Sequence, residues 1–529
     1  MLRAKPPGLD EVLTGTRLLG RLGPHLRRPL DVVESRAILE ARFFHREADF
    51  LGILRHQIYG QAQSPYRQLL QWAGCEYGDI ERLVRLDGVD GALRALYRRG
   101  VYLTVDEFKG RRPAIRGTAT IEVDPTRLLN PSTGVHLLGR SSGSRSPRTT
   151  VPMDLTFIRD RAVNACLTLH ARGEGDWRKA VWADPGGCLA LSIRFSSFGR
   201  RVDRTFSLVD LTDPGVDASY RWSARALVWG SRLAGVPLPA PEHVAVDDPL
   251  RIARWIREVR RAGALPHLWT YVSPAVRLCQ ASAAAGIDLT GARFTVTGEP
   301  LTAARLAAIQ GAGAEAVADY GSAESGFIGY GCLVATAPDD VHLFHDLHAL
   351  LWLEAGEATR ELPPGALLVS SLRPTAPVIL LNVSMGDRAE VVRRACGCPL
   401  ERLGWMTHLH TIRSYEKLTA GGMTFLDTDV IRVLDEVLPG RFGGGPTDYQ
   451  LAEEETSDGR ARIRLLVHPA IGPLDADDVV GTFLAALGSG SRADRMMALH
   501  WRETGLLVVD RQVPRATGTG KILHLHRAS

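Results

Sequence analysis

Long apolar runs and a secretory leader are both lacking in this sequence of 529 residues. No uninterrupted apolar stretch approaches the roughly 18–20 residues that a helix needs to span a bilayer. The first residues, MLRAKPPGLDEVL, contain no apolar core of a signal peptide. We therefore expect a cytoplasmic protein with no membrane partner.

An excess of charge of one sign is also lacking, since 64 basic residues face 59 acidic ones. The basic residues are scattered among acidic neighbours and form no stripe, so no nucleic-acid partner is expected. Within the basic set lysine is rare, with five lysines against 59 arginines. Lys521 stands out because it follows the loop TGTG, which can bring a long, flexible ammonium group close to an anion. The alternative for Lys521 is a basic tail without a ligand.

Cysteine is scarce as well, and the seven cysteines are expected to be thiols or metal ligands before disulfides. Four residues make a Cys₃His set of the kind common in closed structural zinc sites: Cys332, His342, Cys396 and Cys398. His345 and His348 are alternatives to His342, and buried free thiols are the alternative to zinc. The remaining four cysteines are expected in the core: Cys75, Cys166, Cys188 and Cys279.

Apolar residues make up 45% of the chain, which is enough for a large buried core and excludes a disordered protein. The first 110 residues follow helical patterns. From about residue 115 to 390, short β-like runs alternate with helical ones, which predicts an α/β fold with mostly parallel sheets flanked by helices. We predict a large N-terminal domain over 1–412, with a helical start over about 1–110, and a small mobile α+β cap domain over 413–529.

Individual elements follow from periodicity and capping residues. The predicted helices cover residues 32–58, 65–73, 80–98, 221–234, 249–262, 301–311, 427–438 and 475–487. The predicted strands are VHLLG, CLALSIRF, HLWTYV, ARFTVTG, AVADYG, ALLVSSL, PVILLNV, RIRLLVHP and LLVVDRQV. The stretch RFGGGPTD, 441–448, is predicted to be a loop.

Several loops carry side chains that suit an anionic ligand. GRSSGSRSPRTT, 139–150, can fold backbone N–H groups and hydroxyls around phosphate oxygens, although a flexible surface loop has the same composition. VTGEP, 296–300, and DYGSAES, 319–325, each follow a β-like run, where open parallel sheets place ligand loops. In the second loop, the ring of Tyr320 could stack on a base, the hydroxyl of Ser322 could bond a phosphate, and the carboxylate of Glu324 could hold Mg²⁺. Ordinary turns are the alternative for both loops. The carboxylate of MGD, 385–387, could accept hydrogen bonds from ribose hydroxyls, and an ordinary turn is the alternative there as well.

Taken together and in this order, these loops resemble the adenylate-forming superfamily of acyl-CoA synthetases, adenylation domains and luciferases. The closer resemblance is to the phenylacetate-CoA ligase branch, and it covers about residues 45–525. The segments with counterparts there are SPYRQLL (64–70), LTVDEFKGR (103–111), SSGSRSPRT (141–149), TYVSP (270–274), TGEP (297–300), YGSAE (320–324), PVI to GD (377–387), the hinge region and following helix (412–434), and TGTGK (517–521). Similar cysteines occur in part of this branch.

The resemblance implies roles for the matching residues. The β- and γ-phosphates of ATP would contact Ser141, Ser142, Gly143, Ser144 and Arg145. The adenine site would be lined by Glu299 and Pro300, with Tyr320 against the base, and Gly298 and Gly321 would also bind the nucleotide. Ser322 would touch the α-phosphate, Glu324 would hold Mg²⁺, and Asp387 would bind the ribose with Arg413 nearby. Lys521 would bridge the substrate carboxylate and the α-phosphate.

The sequence departs from the family pattern at two places. The phosphate loop reads SRSPR where the family reads like TTGKP, so Arg145 or Arg148 would replace the lost lysine charge. The hinge aspartate aligns with Tyr415, beside Glu416, and the Arg-Gly pair after it aligns with Gly421 and Gly422. The family uses the hinge in its second half-reaction, so the departure at the hinge weakens the prediction of thioester formation more than that of adenylation.

The resemblance predicts an ATP- and Mg²⁺-dependent ligase that activates an aromatic or bulky carboxylic acid as its acyl adenylate. The acid pocket would be lined by Phe195, Phe198, Trp269 and Tyr271, for which ordinary core packing is the alternative. The acyl group would pass to CoA, or to an amine as in the amide synthetases of antibiotic biosynthesis. Two further functions stay open, a non-catalytic nucleotide-binding protein and a carrier-protein loading enzyme. The oligomeric state is left open as well, with a dimer as one state to consider.

Overall fold

The computed structural model describes the chain from residue 9 to 527 with gaps. The described residues are 9–134, 137–140, 150–213, 218–415, 418–420, 423–425, 427–455, 461–489, 495, 498–499, 501–503, 506–517 and 519–527.

The α-helices are α1 Leu9–Leu26, α2 Val32–Phe44, α3 Arg46–Ile53, α4 Pro65–Trp72, α5 Tyr77–Arg98, α6 Val105–Phe108, α7 Leu155–Ala171, α8 Pro185–Ser196, α9 Ala218–Leu233, α10 Leu250–Arg261, α11 Val272–Ala284, α12 Ala303–Gly311, α13 Asp427–Arg432, α14 Leu438–Phe442 and α15 Ala476–Leu487. Short π-helical turns cover Leu54–Tyr59 and Val433–Val437, and 3₁₀ turns cover Pro125–Leu128 and Glu401–Leu403. None of the helices described is long and apolar enough to cross a membrane.

The strands are β1 Ala114–Arg116, β2 Ala119–Ile121, β3 Leu137–Arg140, β4 Thr150–Met153, β5 Trp177–Ala183, β6 Val202–Ser207, β7 Pro241–His243, β8 Leu265–Tyr271, β9 Arg293–Thr297, β10 Glu315–Ser322, β11 Gly326–Gly331, β12 Val341–Leu343, β13 His348–Trp352, β14 Ala366–Ser371, β15 Val383–Arg393, β16 Thr407–Ser414, β17 Leu418–Ala420, β18 Met423–Phe425, β19 Tyr449–Glu455, β20 Ala461–Val467, β21 Leu507–Asp510 and β22 Leu525–Arg527.

One large mixed sheet organises most of the chain. Its twelve strands lie in the order β13-β14-β15-β16-β12-β11-β10-β9-β8-β5-β6-β7. The run from β10 to β7 is parallel, and the pairs from β13 to β10 are antiparallel. Helix α8 packs on β5 and β6, while α10, α11 and α12 pack on β8, β9 and β10. The predicted α/β fold class is confirmed, with a sheet that is parallel in one half and antiparallel in the other.

Local sequence explains why the parallel half forms. Strands β5, β8 and β9 are buried at nearly every position, as expected of strands covered on both faces. Among the predicted helices, α9, α10, α12 and α15 are confirmed. The single helix predicted over 32–58 is divided, because the helix breaks at His45 and ends in a π-helical turn.

Two predicted strands are wrong. CLALSIRF lies in α8, because Pro185 occupies the first helical turn and the Asp184 carboxylate caps it by accepting from the Gly187 N–H. Burial of this helix at most positions removed the polar stripe that would have marked it. Most of PVILLNV is irregular, with Asn382 at a φ of 49°, and MGD lies inside β15 instead of after a strand.

The last part of the chain has its own sheet and core. Strands pair in the order β21-β20-β19-β22, and α15 packs against β21. Its buried apolar residues come from 430–525 and include Trp501 and Phe483, whose rings stack 6.4 Å apart. The predicted loop over 441–448 begins inside α14, and only 443–448 is irregular. The predicted helix over 427–438 is split between α13, a π-helical turn and α14.

Candidate active site

A cavity of about 600 Å³ lies at the carboxyl ends of β8, β9 and β10, where open α/β sheets bind their ligands. From the last segment of the chain it is lined by Thr517, Thr519, Lys521, Leu523, His524 and Leu525. The sequence-predicted residues that line this cavity are Trp269, Tyr271, Gly298, Glu299, Pro300, Tyr320, Gly321, Ser322, Glu324, Asp387 and Lys521. The fold therefore brings together side chains that are more than 250 residues apart in the sequence.

Lys521 reaches the cavity from a tight turn in the last segment. The Thr517 N–H donates to the Lys521 carbonyl at 2.8 Å, and Gly520 takes a φ of 81° between them. The ammonium is buried, with Nζ 4.6 Å from the centre of the Tyr271 ring. Burial lowers the pKa of Lys521, while the carboxylates of Glu299 and Asp184 oppose that shift.

Gly298 lets Lys521 approach the sheet. Its φ is 78°, and a Cβ built there would lie 2.7 Å from the Lys521 Nζ. Next to it, the Glu299 carboxylate accepts from both the backbone N–H and the hydroxyl of Ser273 at 2.8 Å. The same Ser273 hydroxyl accepts from the Ile522 N–H at 2.8 Å. Glu299 therefore fixes the start of α11 and, through Ser273, the segment that carries Lys521.

Glu324 forms a buried ion pair with Lys109, a residue that the sequence did not single out for the site. Both side chains line the cavity, and they are 4% and 17% exposed. A single carboxylate fits Mg²⁺ when substrate phosphates supply other ligands. The Lys109 ammonium contacts Oε1 of that carboxylate, so a cation at Glu324 would share the carboxylate with Lys109 or displace it. The signal that could have found Lys109 is the rarity of lysine in this chain.

Asp387 and Arg413 are each held by another side chain. The Tyr320 hydroxyl donates to Asp387 Oδ2 at 2.9 Å, and burial followed by the Asp387 charge raises the pKa of Tyr320 well above its usual value. Arg413 Nη1 donates to Asp339 Oδ2 at 2.7 Å. Asp339 lines the cavity and was missed by sequence reasoning, whereas Arg413 is not among the described lining residues.

Ser322 is the last residue of β10, at the tight turn that leads into β11. Its hydroxyl oxygen is 2.9 Å from that of Ser325, and the Ser325 N–H donates to it at 3.1 Å. A Cβ on Gly321 would lie 2.2 Å from the Gly326 carbonyl oxygen, so the turn requires glycine. The turn thus presents the Ser322 hydroxyl at the cavity in a fixed position.

The structure divides the four aromatic residues predicted for the acid pocket. Trp269 and Tyr271 line the cavity, and the Tyr271 hydroxyl hydrogen-bonds to Asp184. Phe195 and Phe198 pack on each other in the core, 5.9 Å between ring centres, and neither is among the described residues that line the cavity. Ordinary core packing, the alternative for these two, is what the structure shows.

The predicted phosphate loop lies outside the described residues, which applies to Ser141, Ser142, Gly143, Ser144, Arg145 and Arg148. Glu416, Gly421 and Gly422 of the hinge region lie outside them as well. Tyr415 is described: its N–H donates to the Gly386 carbonyl at 2.8 Å, and its hydroxyl bonds to that of Ser384.

A cysteine and histidine cluster lies apart from the cavity. The candidate ligand atoms of Cys332, His342, Cys396 and His408 all lie within 4.8 Å of one another. Cys398 Sγ is 3.2 Å from His342 Nε2, so the four predicted residues meet, and His408 joins them. His408 was missed because its neighbour across the sheet, His342, is brought to it only by pairing of β12 with β16.

The surroundings of this cluster suit a metal ion. His408 Nδ1 lies 2.8 Å from Asp340 Oδ1, and His342 Nδ1 lies 2.6 Å from the Trp405 carbonyl. Such partners orient metal-ligating histidines. His408 Nε2 is buried without a hydrogen-bond partner in the described structure. The two histidines predicted as substitutes for His342 lie elsewhere, because His348 Nε2 is 3.3 Å from Arg161 Nη1 and His345 stacks near Phe43.

Comparison with known proteins gives matches among solved structures. No family model matches the sequence. No curated protein matches it either. The chain is similar to 2-hydroxyisobutyryl-CoA ligase in complex with 2-HIB-AMP and CoA, with a TM-score of 0.45, 16% identity, and coverage of 91% of this chain and 90% of that one. It is similar to O-succinylbenzoate coenzyme A synthetase from Bacillus subtilis in complex with ATP and magnesium, with a TM-score of 0.44, 12% identity, and coverage of 78% of this chain and 71% of that one. It is also similar to the anthranilate CoA ligase AuaEII in complex with anthranoyl-AMP, with a TM-score of 0.43, 12% identity, and coverage of 87% of this chain and 79% of that one.

Proposed function

We propose that the chain is an ATP-dependent ligase that activates a carboxylic acid as its acyl adenylate and releases pyrophosphate. The observation that carries the proposal is the place of Lys521, a buried ammonium at a cavity whose other walls carry Ser322, Glu324 and Asp387. A buried cation beside loops that end parallel strands suits a reaction between two anions.

The chemistry needs positioning and charge neutralisation more than acid–base catalysis. A carboxylate oxygen attacks the α-phosphorus of ATP, the bond to the pyrophosphate oxygen breaks, and no proton has to move. Lys521 would lower the repulsion between the incoming carboxylate and the phosphate, and Ser322 would orient the phosphate. Bound Mg²⁺ would supply further charge neutralisation, with Glu324 as its protein ligand.

The acyl adenylate would then react with an acceptor. CoA would give a thioester, and an amine would give an amide. The hydroxyl of Tyr415, at the position that aligns with the hinge aspartate, is tied to Ser384. This departure supports an altered second half-reaction and keeps the amine as an acceptor beside CoA. A carrier protein is the third acceptor to test.

A structural zinc site accompanies the active site in this proposal. Two thiols and two imidazoles lie within 4.8 Å of one another and fit zinc, which prefers four sulfur and nitrogen ligands, and Cys398 lies beside them. The orphaned His408 Nε2 supports it, because a buried ring nitrogen without a partner is costly unless something binds it. The cluster lies outside the cavity, so its role would be to hold strands together.

Exchange of labelled pyrophosphate into ATP tests activation. The purified chain is assayed with Mg²⁺ and a panel of aryl and branched acids, and we expect acid-dependent exchange with at least one of them. Absence of exchange with every acid, although ATP binds, would support a non-catalytic nucleotide-binding protein instead.

Mass spectrometry of the products identifies the acceptor. The exchange-positive acid is incubated with ATP and with CoA, with a panel of amines, or with a phosphopantetheinylated carrier protein. A thioester in the CoA reaction supports a CoA ligase, and an amide formed without CoA excludes obligatory thioester chemistry.

A further inference from the structure

Arg194, on α8, places a buried guanidinium at the cavity wall. The residue is 8% exposed and lines the cavity. Its Nε is buried without a hydrogen-bond partner, and no described residue forms a hydrogen bond or ion pair with its guanidinium. The group instead lies over the ring of Phe327 at 4.1 Å and near the ring of Phe195 at 5.6 Å.

Such a group is unusual in a folded chain. An arginine side chain carries five N–H donors and stays charged, and buried charges are almost always paired. Arg42 follows that rule by pairing with Asp160 and Asp346. Arg161 forms no ion pair with a described residue, but its guanidinium donates to the Ser325 carbonyl at 3.1 Å.

Charged neighbours leave Arg194 without a full counterion. The carboxyl group at this end of the cavity is Asp319, which forms no ion pair with Arg194. Burial raises the pKa of Asp319 to about 7, although Arg194 and a hydrogen bond from Trp269 oppose this, so Asp319 is only partly ionised at neutral pH. His267 is neutral, because burial holds its pKa well below the usual value.

The alternation of side chains along β8 shows which of its residues face the same side. Tyr271, which contacts Lys521, and Trp269, which bonds to Asp319, are two residues apart on β8 and therefore share a face. Two residues along a strand span roughly 6–7 Å, about the length of an aromatic ring. The cavity lining also includes the apolar side chains of Leu191 and Phe327.

We propose that Arg194 binds a second oxygen acceptor of the acid substrate, a carboxylate or a carbonyl, at the end remote from the carboxyl group that Lys521 engages. This inference rests on the proposed acid-activating function. It narrows the substrate to acids with an apolar body, about one ring or four to five carbons long, that end in an oxygen acceptor. The planar guanidinium suits such a group, because it can donate two parallel hydrogen bonds.

Matched acids test the inference on the wild-type protein. Pyrophosphate exchange is measured for three ends on each of three bodies, with the end groups similar in shape. The benzoates are terephthalate, 4-acetylbenzoate and 4-isopropylbenzoate; the phenylacetates carry the same three para groups; and the aliphatic acids are adipate, 6-oxoheptanoate and 6-methylheptanoate. On the best body we expect kcat/KM for an acceptor end to exceed that for the apolar end by about 100-fold or more, because an unfilled donor site rejects apolar analogues.

The variant Arg194→Met removes the charge at similar volume, and such replacements of buried charges are often tolerated. We expect it to lose about 100-fold in kcat/KM toward the acceptor acid while activity toward the apolar analogue stays the same or rises. The control Arg82→Met lies on an exposed helix surface and should leave the ratio unchanged. Thermal unfolding of each variant reports folding, and the wild-type comparison stands even if R194M unfolds.

The outcomes separate the inference from the proposed function. Preference for the dicarboxylate assigns an anionic end, and preference for the ketone assigns a neutral one; both support the inference. Exchange in which apolar ends react as well as acceptor ends overturns the inference alone. Absence of exchange with every acid on all three bodies overturns the proposed function and the inference with it.

Discussion

Single residues at the cavity are held by protein partners that a nucleotide would have to share or displace. Glu324 is paired with Lys109, Asp387 accepts from Tyr320, and Glu299 accepts from Ser273. Of these groups Glu324 faces the largest change, because its partner is itself a full charge. The competition between Lys109 and a divalent cation is therefore measurable.

Lys109→Met is expected to lower the Mg²⁺ concentration that gives half-maximal pyrophosphate exchange, by about tenfold. The reason is that a neighbouring opposite charge changes the affinity of a carboxylate for a cation by about that factor or more. Exchange at varied Mg²⁺ and constant ATP checks this, with Arg82→Met as the surface control. An unchanged or increased half-saturation value would show that Lys109 does not compete for Glu324.

Asp319 gives a pH dependence of stability. Its folded pKa, about 7, lies above the usual value near 3.8, so the protonated form is favoured by folding. Its contribution to the free energy of unfolding is greatest below pH 4, declines as the pH rises to about 7, and is constant above that. The free energy of unfolding of Asp319→Asn, relative to that of wild type, should therefore be larger at pH 8 than at pH 5. Chemical unfolding at both pH values tests this, and a difference that does not grow with pH would contradict it.

Sequence reasoning reached the residues that belong to short motifs. Lys521, Glu324 and Asp387 each stand in a recognisable loop, and the structure places all three at one cavity. Arg194 could not be predicted in the same way, and Lys109 had only the rarity of lysine to mark it, because the importance of both depends on which distant side chains they meet or fail to meet. Their roles follow from the pairing of elements that no local pattern encodes.

At the scale of elements, the cysteine and histidine cluster joins separate parts of the antiparallel half of the sheet. Cys332 follows β11, His342 lies on β12, His408 on β16, and Cys396 follows β15. A metal held by these residues would fix the spacing of four segments. Structural zinc contributes directly to folding in such sites.

Metal analysis of the purified protein should find about one equivalent of zinc. Removing one ligand with Cys332→Ser should lower the zinc content and the unfolding temperature together, because the remaining ligands hold the ion less tightly. Cys75→Ser, a buried cysteine far from the cluster, is the control and should keep the zinc. A zinc content below about 0.2 equivalents in wild type would argue against the site.

Elements were predicted correctly where one hydrophobic pattern dominated the sequence, and incorrectly where burial on most sides removed that pattern. The strands β8, β9 and β10 carry apolar runs that were recognised, and a glycine lies at the end of β9 and of β10. Helix α8 was mistaken for a strand, because it is buried on most sides and its apolar run has no helical period. The capping Asp184-Pro185 pair was the local signal that distinguishes the two.

At the scale of the whole molecule, buried charges join the last sheet to the large one. Asp435, which precedes α14, accepts from Thr302 Oγ1 at 2.9 Å and from Arg305 Nε at 3.0 Å. Its other oxygen lies 2.9 Å from His524 Nε2, three residues after Lys521. The division of the chain near residue 412 remains a prediction, but these contacts fix how the segment with Lys521 meets the cavity.

Asp435→Ala is expected to destabilise the protein by about 3 kcal/mol, since the buried Arg305 guanidinium loses the carboxylate it hydrogen-bonds and keeps only Glu299, 3.9 Å away. Exchange activity should fall as well, because the Lys521 segment loses one of its attachments. Chemical unfolding and exchange are measured side by side, with the exposed Asp477→Ala on α15 as control. Full activity and stability in D435A would show that this contact does not position the segment.

The central claim is that Lys521 stabilises the charge that develops when the acid attacks ATP. Pyrophosphate exchange with the best acid is compared for wild type, Lys521→Ala, Lys521→Arg and the control Arg82→Met. We expect exchange in K521A to fall by about 100-fold or more, because a charge-stabilising group in a transition state is worth that much. K521R should recover part of the loss, and R82M should match wild type. Exchange in K521A that equals wild type would contradict the account.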